Sequence, residues 1–100
     1  MKNTSRDLPP IHPGEILRED FLPDYNLKPY GLAKALGVSR NRIERLVREE
    51  VALTADTALR LSRYFGTSAE MWLNIQRKYD LEVAAQALGD KLKDIEPVKV

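Results

Sequence analysis

The chain has 100 residues, of which 31% are charged and 43% hydrophobic, with one histidine, no cysteine and a formal net charge of +1. This composition predicts one folded domain, and it excludes a disulfide framework, thiolate chemistry and cysteine-based zinc sites. Because the whole chain is nearly neutral, a surface that binds nucleic acid would have to be a local cluster of basic residues.

The first two predicted elements are helices that begin at proline. Residues 1–11 contain Pro9 and Pro10 and predict a flexible N-terminal arm. A helix follows in HPGEILREDFLP, where Pro13 suits the first turn and Pro23 ends the element. The second helix lies in KPYGLAKALG and closes at Gly37, a residue suited to a left-handed C-cap.

Three further helices are predicted after that glycine. Ser39 can cap the third helix, which contains SRNRIERLVR, and Thr54 can cap the fourth. Gly66 ends the fourth helix, and Thr67 with Glu70 resembles a capping box for the fifth. The chain is therefore predicted to be an all-α domain of about five helices over residues 12–81. Residues 82–100 are predicted to form a partly helical C-terminal extension with a frayed end.

The link between the second and third predicted helices is short. Only Gly37, Val38 and Ser39 separate them, and a short link containing glycine makes two helices cross steeply. Ala33 is small enough to let the crossing helices approach closely. This pattern is typical of a helix-turn-helix, whose second helix can enter the DNA major groove.

The third predicted helix has a basic outward side. At about 100° per residue, its apolar residues define one side, and Asn41, Arg45 and Arg48 fall opposite, with Arg40 and Arg42 on the two flanks. Arginine pairs with guanine, and asparagine with adenine, through two hydrogen bonds each. Flanking arginines suit phosphates, which fix register without reading sequence.

A solvated surface helix would also explain these charges. Glu44 and Arg48 have the favourable i,i+4 spacing, which stabilises a helix by a few tenths of a kcal/mol. The preceding turn favours DNA reading, because a surface helix requires neither Ala33 nor Gly37 at that distance.

Four stretches carry a family resemblance: HPGEIL (12–17), LAKALGVSRNRI (32–43), LTADTALRLSRYFGTS (53–68) and WLNIQRKYDL (72–81). The helix-turn-helix part resembles the lambda-repressor type, and the set as a whole resembles the HigA-type antitoxins, also called virulence-associated protein I. The resemblance implies a five-helix lambda-repressor-like domain that binds double-stranded DNA. It also implies an antitoxin of a type II toxin-antitoxin system, which represses its own operon and neutralises a RelE-like mRNA-cleaving toxin.

The resemblance also implies roles for individual residues. Arg40, Asn41 and Arg45 match base-facing positions, and the capping or phosphate-facing positions are matched by Ser39, Arg42 and Arg48. The chain departs from the family at Glu49 and Glu50, where a glycine and a basic residue are common. We therefore expect the third helix to end differently or to run on, and two carboxylates there suit phosphate poorly.

A dimer is expected, because regulators of this type read palindromic operators as two-fold dimers. Trp72, Ile75 and Tyr79 form a helical stripe that either completes the core or provides the dimer face. The apolar stretch LEVAAQAL, which ends at Leu88, is a second candidate. The toxin could bind either the N-terminal arm or the last twenty residues, and the sequence favours neither.

Other functions have little support in the sequence. A single histidine, His12, without cysteines is a poor metal site. The sequence also shows no acid–base pair or activated nucleophile that would predict an enzyme. We therefore expect neither a metal nor a cofactor. The apolar runs are too short for a membrane span and residues 1–10 lack a signal-peptide core, so a cytoplasmic protein without a membrane partner is expected. Two alternatives remain: a stand-alone regulator without a toxin, and an interaction module whose arginines bind an acidic partner.

Overall fold

A computed structural model of the chain describes residues 8–99, and that part forms five helices and no strand. Helix α1 spans residues 13–24, and the others are α2 (Pro29–Leu36), α3 (Arg40–Val47), α4 (Ala55–Phe65) and α5 (Ala69–Leu88). A short 3-10 helix, Gly89–Asp94, follows α5. The predicted all-α, five-helix architecture is confirmed, whereas most of the predicted N-terminal arm lies outside the described residues.

Helix α1 changes its winding along its length. Pro13–Ile16 and Leu22–Asp24 are α-helical, but Leu17–Phe21 is π-helical. Pro23 gives the physical reason, because proline has no N–H to donate and its ring crowds the carbonyl of the preceding turn. A wider turn relieves that crowding. Pro23 therefore lies in the last turn of α1, and the helix ends one residue later than predicted.

Side-chain caps begin the later helices. The Ser39 hydroxyl accepts the Arg42 N–H at 3.2 Å and the Thr54 hydroxyl accepts the Thr57 N–H at 3.3 Å, which confirms both predicted caps. The predicted cap of α5 is wrong by one residue, since Ser68 accepts the Met71 N–H at 3.0 Å.

Thr67 has a different partner from the one its sequence position suggests. Its hydroxyl accepts the indole N–H of Trp72 at 2.8 Å, so it satisfies a buried donor and does not take part in a capping box.

The centre of the core is Trp72, which has no exposed surface. The Phe21 ring lies 4.9 Å from Trp72 and 4.9 Å from Phe65, between ring centroids. Of the two interpretations of the helical stripe, the core interpretation therefore holds for Trp72, which offers no surface to a dimer partner. Ile75 and Tyr79 are half-buried, and Leu88 is exposed.

A buried glutamine joins α5 to the loop before α4. Gln76 Oε1 accepts the Leu53 N–H at 2.7 Å, and Gln76 Nε2 donates to Asp80 Oδ1 at 2.9 Å. Two polar positions of the WLNIQRKYDL motif thus have structural roles.

Replacing Gln76 by alanine is expected to lower the free energy of unfolding by about 2 kcal/mol, because it leaves the buried Leu53 N–H without an acceptor. Gln86→Ala is the matched control, since Gln86 lies exposed in the same helix. Urea denaturation measures both variants, and equal losses would show that the Gln76 hydrogen bonds add no stability.

Helix α5 continues without a break past residue 81, so the predicted C-terminal extension starts as part of the fifth helix. Its distal half is poorly covered by the domain. Leu81 is 65% exposed and Leu88 43% exposed, and Val83 is also exposed.

Candidate nucleic-acid interface

The corner between α2 and α3 has the geometry that the short link predicts. Gly37 takes the left-handed conformation with φ of 72° and ends α2. The Val38 N–H donates to the Ala33 carbonyl at 3.0 Å, and the Gly37 N–H donates to the Lys34 carbonyl at 3.2 Å. These two bonds close the end of α2 as a Schellman motif, and three residues separate the end of α2 from the start of α3.

Helix α3 divides into a buried side and an exposed side as the sequence predicts. Its buried residues are Ile43, Leu46 and Val47. The exposed residues are Arg40, Asn41, Arg45 and Arg48, while Arg42 is half-buried. Asn41, Arg42 and Arg45 line a shallow depression between α3 and the start of α4.

The C-terminal end of α3 is closed by a residue that the sequence did not suggest for this purpose. Glu49 itself adopts the left-handed conformation, with φ of 64°. The Glu49 N–H donates to the Leu46 carbonyl and the Glu50 N–H donates to the Arg45 carbonyl, both at 2.9 Å. Helix α3 therefore does not run on past this point, and Glu49 takes the left-handed position that a glycine would adopt without strain.

Arg18 of α1 holds this end of α3 in place. Its guanidinium donates to the Val47 carbonyl and to Glu49 Oε2, the latter at 3.1 Å. Sequence reasoning missed Arg18, because its partners lie 29 and 31 residues away and no local spacing reveals the contact.

The HPGE stretch also supports α3. A Cβ added to Gly14 would lie 1.9 Å from the Leu46 carbonyl oxygen, so α1 and α3 meet here backbone to backbone. His12 caps α1, since its Nδ1 accepts the Gly14 N–H at 2.9 Å. The imidazole is buried and packs edge-on against Tyr79, with ring centroids 4.8 Å apart. His12 therefore has a structural position at the entry of α1.

Stability is expected to fall as the pH drops below about 6.5, the ordinary pKa of histidine. Burial lowers the pKa of His12 in the folded protein. The unfolded chain therefore binds a proton first, and stability present above pH ~6.5 is lost towards the folded-state pKa. Thermal melts at several pH values measure this effect. His12→Asn keeps a capping side chain without a titrating ring, and an unchanged pH dependence in that variant would contradict the assignment.

The exposed arginines of α3 face carboxylates of their own chain. Arg40 lies 2.7 Å from Glu44, and Arg48 lies 3.5 Å from Glu44 and 3.5 Å from Glu50. Arg45 lies 3.6 Å from Glu50. The hydrogen bond from Arg40 lowers the pKa of Glu44.

Arg42 is bound to the start of α4. It lies 2.6 Å from Asp56, and it donates to the Thr57 hydroxyl at 2.7 and 3.1 Å. Arg60 shares Asp56 at 2.7 Å and donates to the Leu36 carbonyl at 2.7 Å. The hydrogen bonds from Arg60 and then Arg42 lower the pKa of Asp56. This cluster ties α2, α3 and α4 together, and sequence reasoning missed Asp56 and Arg60 as parts of it.

Comparison with known proteins places these features in a family. The Helix-turn-helix family matches residues 24–72. Virulence-associated protein I from Dichelobacter nodosus is 58% identical over 80 residues, which are 80% of this chain and 74% of that protein. Antitoxin HigA-1 from Vibrio cholerae is 35% identical over 100 residues, which are 100% of this chain and 92% of that protein. The chain belongs to the HigA-type antitoxin family.

A solved structure supports the same grouping. The Pseudomonas aeruginosa antitoxin HigA with the higBA promoter is 47% identical and has a TM-score of 0.86, and the match covers 90% of this chain and 99% of that chain. HigA-type proteins are helix-turn-helix regulators, which are not a class of enzymes. Over residues 8–99, no helix is both long and apolar enough to span a membrane.

Proposed function

We propose that this protein is a sequence-specific DNA-binding antitoxin that represses its own operon and neutralises a RelE-like mRNA-cleaving toxin. The observation that carries the proposal is the exposed side of α3. It presents Asn41, Arg45 and Arg48, while the opposite side is anchored to α1 and the core. The structure of P. aeruginosa HigA with the higBA promoter supports DNA as the partner.

In this proposal α3 enters the major groove of the operator. Arg40, Asn41 and Arg45 contact base edges, and Ser39, Arg42 and Arg48 contact phosphates. The phosphate role of Arg42 is compatible with its position at Asp56. A guanidinium carries five N–H donors, so it can hold Asp56 and a phosphate together.

The test is fluorescence anisotropy of the purified protein on DNA from immediately upstream of its own gene. A scrambled sequence of the same length and composition is the control, and both are titrated at several salt concentrations. We expect tight binding to the upstream DNA and weak, strongly salt-dependent binding to the scrambled DNA. Equally weak binding to both would reject the proposal and favour an interaction module with an acidic partner.

The homodimer is proposed to form through the distal half of α5. Leu81, Val83 and Leu88 are exposed there, and a two-fold pair would present two copies of α3 to half-sites about 34 Å apart. Sedimentation equilibrium of a Leu81→Glu, Leu88→Glu double variant is expected to show a monomer. Leu59→Glu, at an exposed leucine of α4, is the control, and a persisting dimer in the double variant would place the interface elsewhere.

The toxin part of the proposal needs a separate experiment. We expect the reading frame next to this gene to encode a small, basic, ribonuclease-like protein whose expression arrests growth. Co-expression of this chain should relieve that arrest. A neighbouring frame without toxicity would favour the alternative function, a stand-alone regulator of the same fold.

A further inference from the structure

Two carboxylates lie close to the three exposed arginines of α3 in the free protein. Glu44 lies 2.7 Å from Arg40 and 3.5 Å from Arg48. Glu50 lies 3.6 Å from Arg45 and 3.5 Å from Arg48. These two carboxylates therefore offset two of the three positive charges on the exposed side of α3 and leave it weakly basic.

The backbone places Glu50 beside these arginines. After α3 ends, the left-handed Glu49 turns the chain back, and the Glu50 N–H bonds to the Arg45 carbonyl at 2.9 Å. The two neighbouring carboxylates then point to different partners. Glu49 lies 3.1 Å from Arg18 of α1, whereas Glu50 lies close to Arg45 and Arg48 of α3.

We propose that Glu50 is a specificity-determining residue, which pairs with Arg45 and Arg48 in the free protein and thereby weakens binding to DNA of random sequence. This inference rests on the proposed DNA binding through α3. Random DNA is bound by phosphate contacts, and an arginine paired with Glu50 contributes little positive charge to such contacts. Exposed ion pairs are weak, so an operator that offers Arg45 two hydrogen bonds to guanine can open them.

Glu50 also affects the two DNAs unequally once they are bound. In the operator complex, Arg45 has left Glu50 for a base, and the directional hydrogen bonds compensate for the lost ion pair. On random DNA no such bonds form, so nothing compensates for opening the ion pair. The repulsion between the carboxylate and the phosphates is present on both DNAs. Removing this charge should therefore strengthen random binding more than operator binding.

The experiment is the anisotropy titration with Glu50→Gln, on upstream and scrambled DNA over a range of salt. We expect about five- to tenfold tighter binding to scrambled DNA and about two- to threefold tighter binding to upstream DNA, because weak ion pairs and one phosphate repulsion are removed. The slope of log affinity against log salt on scrambled DNA should steepen by about one. Glu96→Gln removes the same charge from the exposed C-terminal tail and is the control. Thermal melts verify that both variants are folded.

The outcomes separate this inference from the proposed function. If the wild-type protein prefers upstream DNA and Glu50→Gln keeps both the preference and the salt slope, Glu50 has no such role. If Glu96→Gln produces the same change, net charge explains it and the inference is overturned. If the wild-type protein shows no preference, the proposed function fails, and the role of Glu50 fails with it.

Discussion

Gly14→Ala is expected to lower the free energy of unfolding by about 3 kcal/mol, the upper part of the usual range for overpacking. The added Cβ would lie 1.9 Å from the Leu46 carbonyl oxygen and 2.9 Å from its carbonyl carbon. Both are backbone atoms, so no side-chain rotation can make room. Either α1 or the last turn of α3 must shift, and Leu46 follows Arg45 directly in the chain. We therefore expect weaker DNA binding together with the loss of stability.

Gly31→Ala is the matched control for this prediction. Gly31 also lies in a helix, but an added Cβ would meet only Leu27 Cδ2 at 3.6 Å, which is an ordinary contact. Because alanine favours helices over glycine, this variant should gain up to about 1 kcal/mol. Urea denaturation measures both variants. Similar free energies for the two would show that the close approach of α1 and α3 is not a constraint.

Arg45→Ala is expected to weaken binding to upstream DNA by about 5- to 150-fold, which corresponds to about 1–3 kcal/mol. Arg45 is exposed at the centre of the outward side of α3, and its nearest carboxylate, Glu50, is a weak partner at 3.6 Å. Its loss should leave binding to scrambled DNA nearly unchanged, so the preference between the two DNAs should relax. Anisotropy titrations on both DNAs measure this difference.

Two other arginine variants are compared with Arg45→Ala, one at a proposed phosphate contact and one outside the proposed interface. Arg42→Ala should weaken binding to both DNAs alike and reduce the salt slope by about one, as expected for a phosphate contact. Arg77→Ala, at an exposed arginine of α5, should change neither. If Arg45→Ala and Arg42→Ala behave identically on both DNAs, the division into base-reading and phosphate contacts is wrong.

The features that the sequence predicted correctly have local causes. Ser39 and Thr54 each cap a backbone N–H three residues away, and Gly37 supplies a left-handed conformation that glycine adopts without strain. The apolar spacing of α3 likewise requires only the helical repeat. Such signals lie within one turn or one helix, so no tertiary contact is needed to interpret them.

The features that the sequence did not predict depend on contacts between distant segments. The left-handed conformation costs a residue other than glycine about 1–2 kcal/mol, and Glu49 keeps it with its side chain held by Arg18. The Thr67 hydroxyl accepts a hydrogen bond from the buried indole of Trp72, and Ser68 caps α5 instead. Gly14 belongs to the HPGEIL stretch that carries the family resemblance, but its close approach to Leu46 exists only in the folded arrangement of α1 and α3.

Helix α5 is continuous, but its two halves differ in local stability. Residues 69–80 include the buried Trp72 and Gln76, which attach this half of the helix to the core, so its amides should be the better protected. Residues 81–88 are almost all exposed, and a helical segment of this length is marginal in water without tertiary contacts. Amide hydrogen exchange in a single copy of the chain should therefore accelerate sharply after residue 80. A second copy packed on the distal half would slow that exchange without any change in backbone conformation.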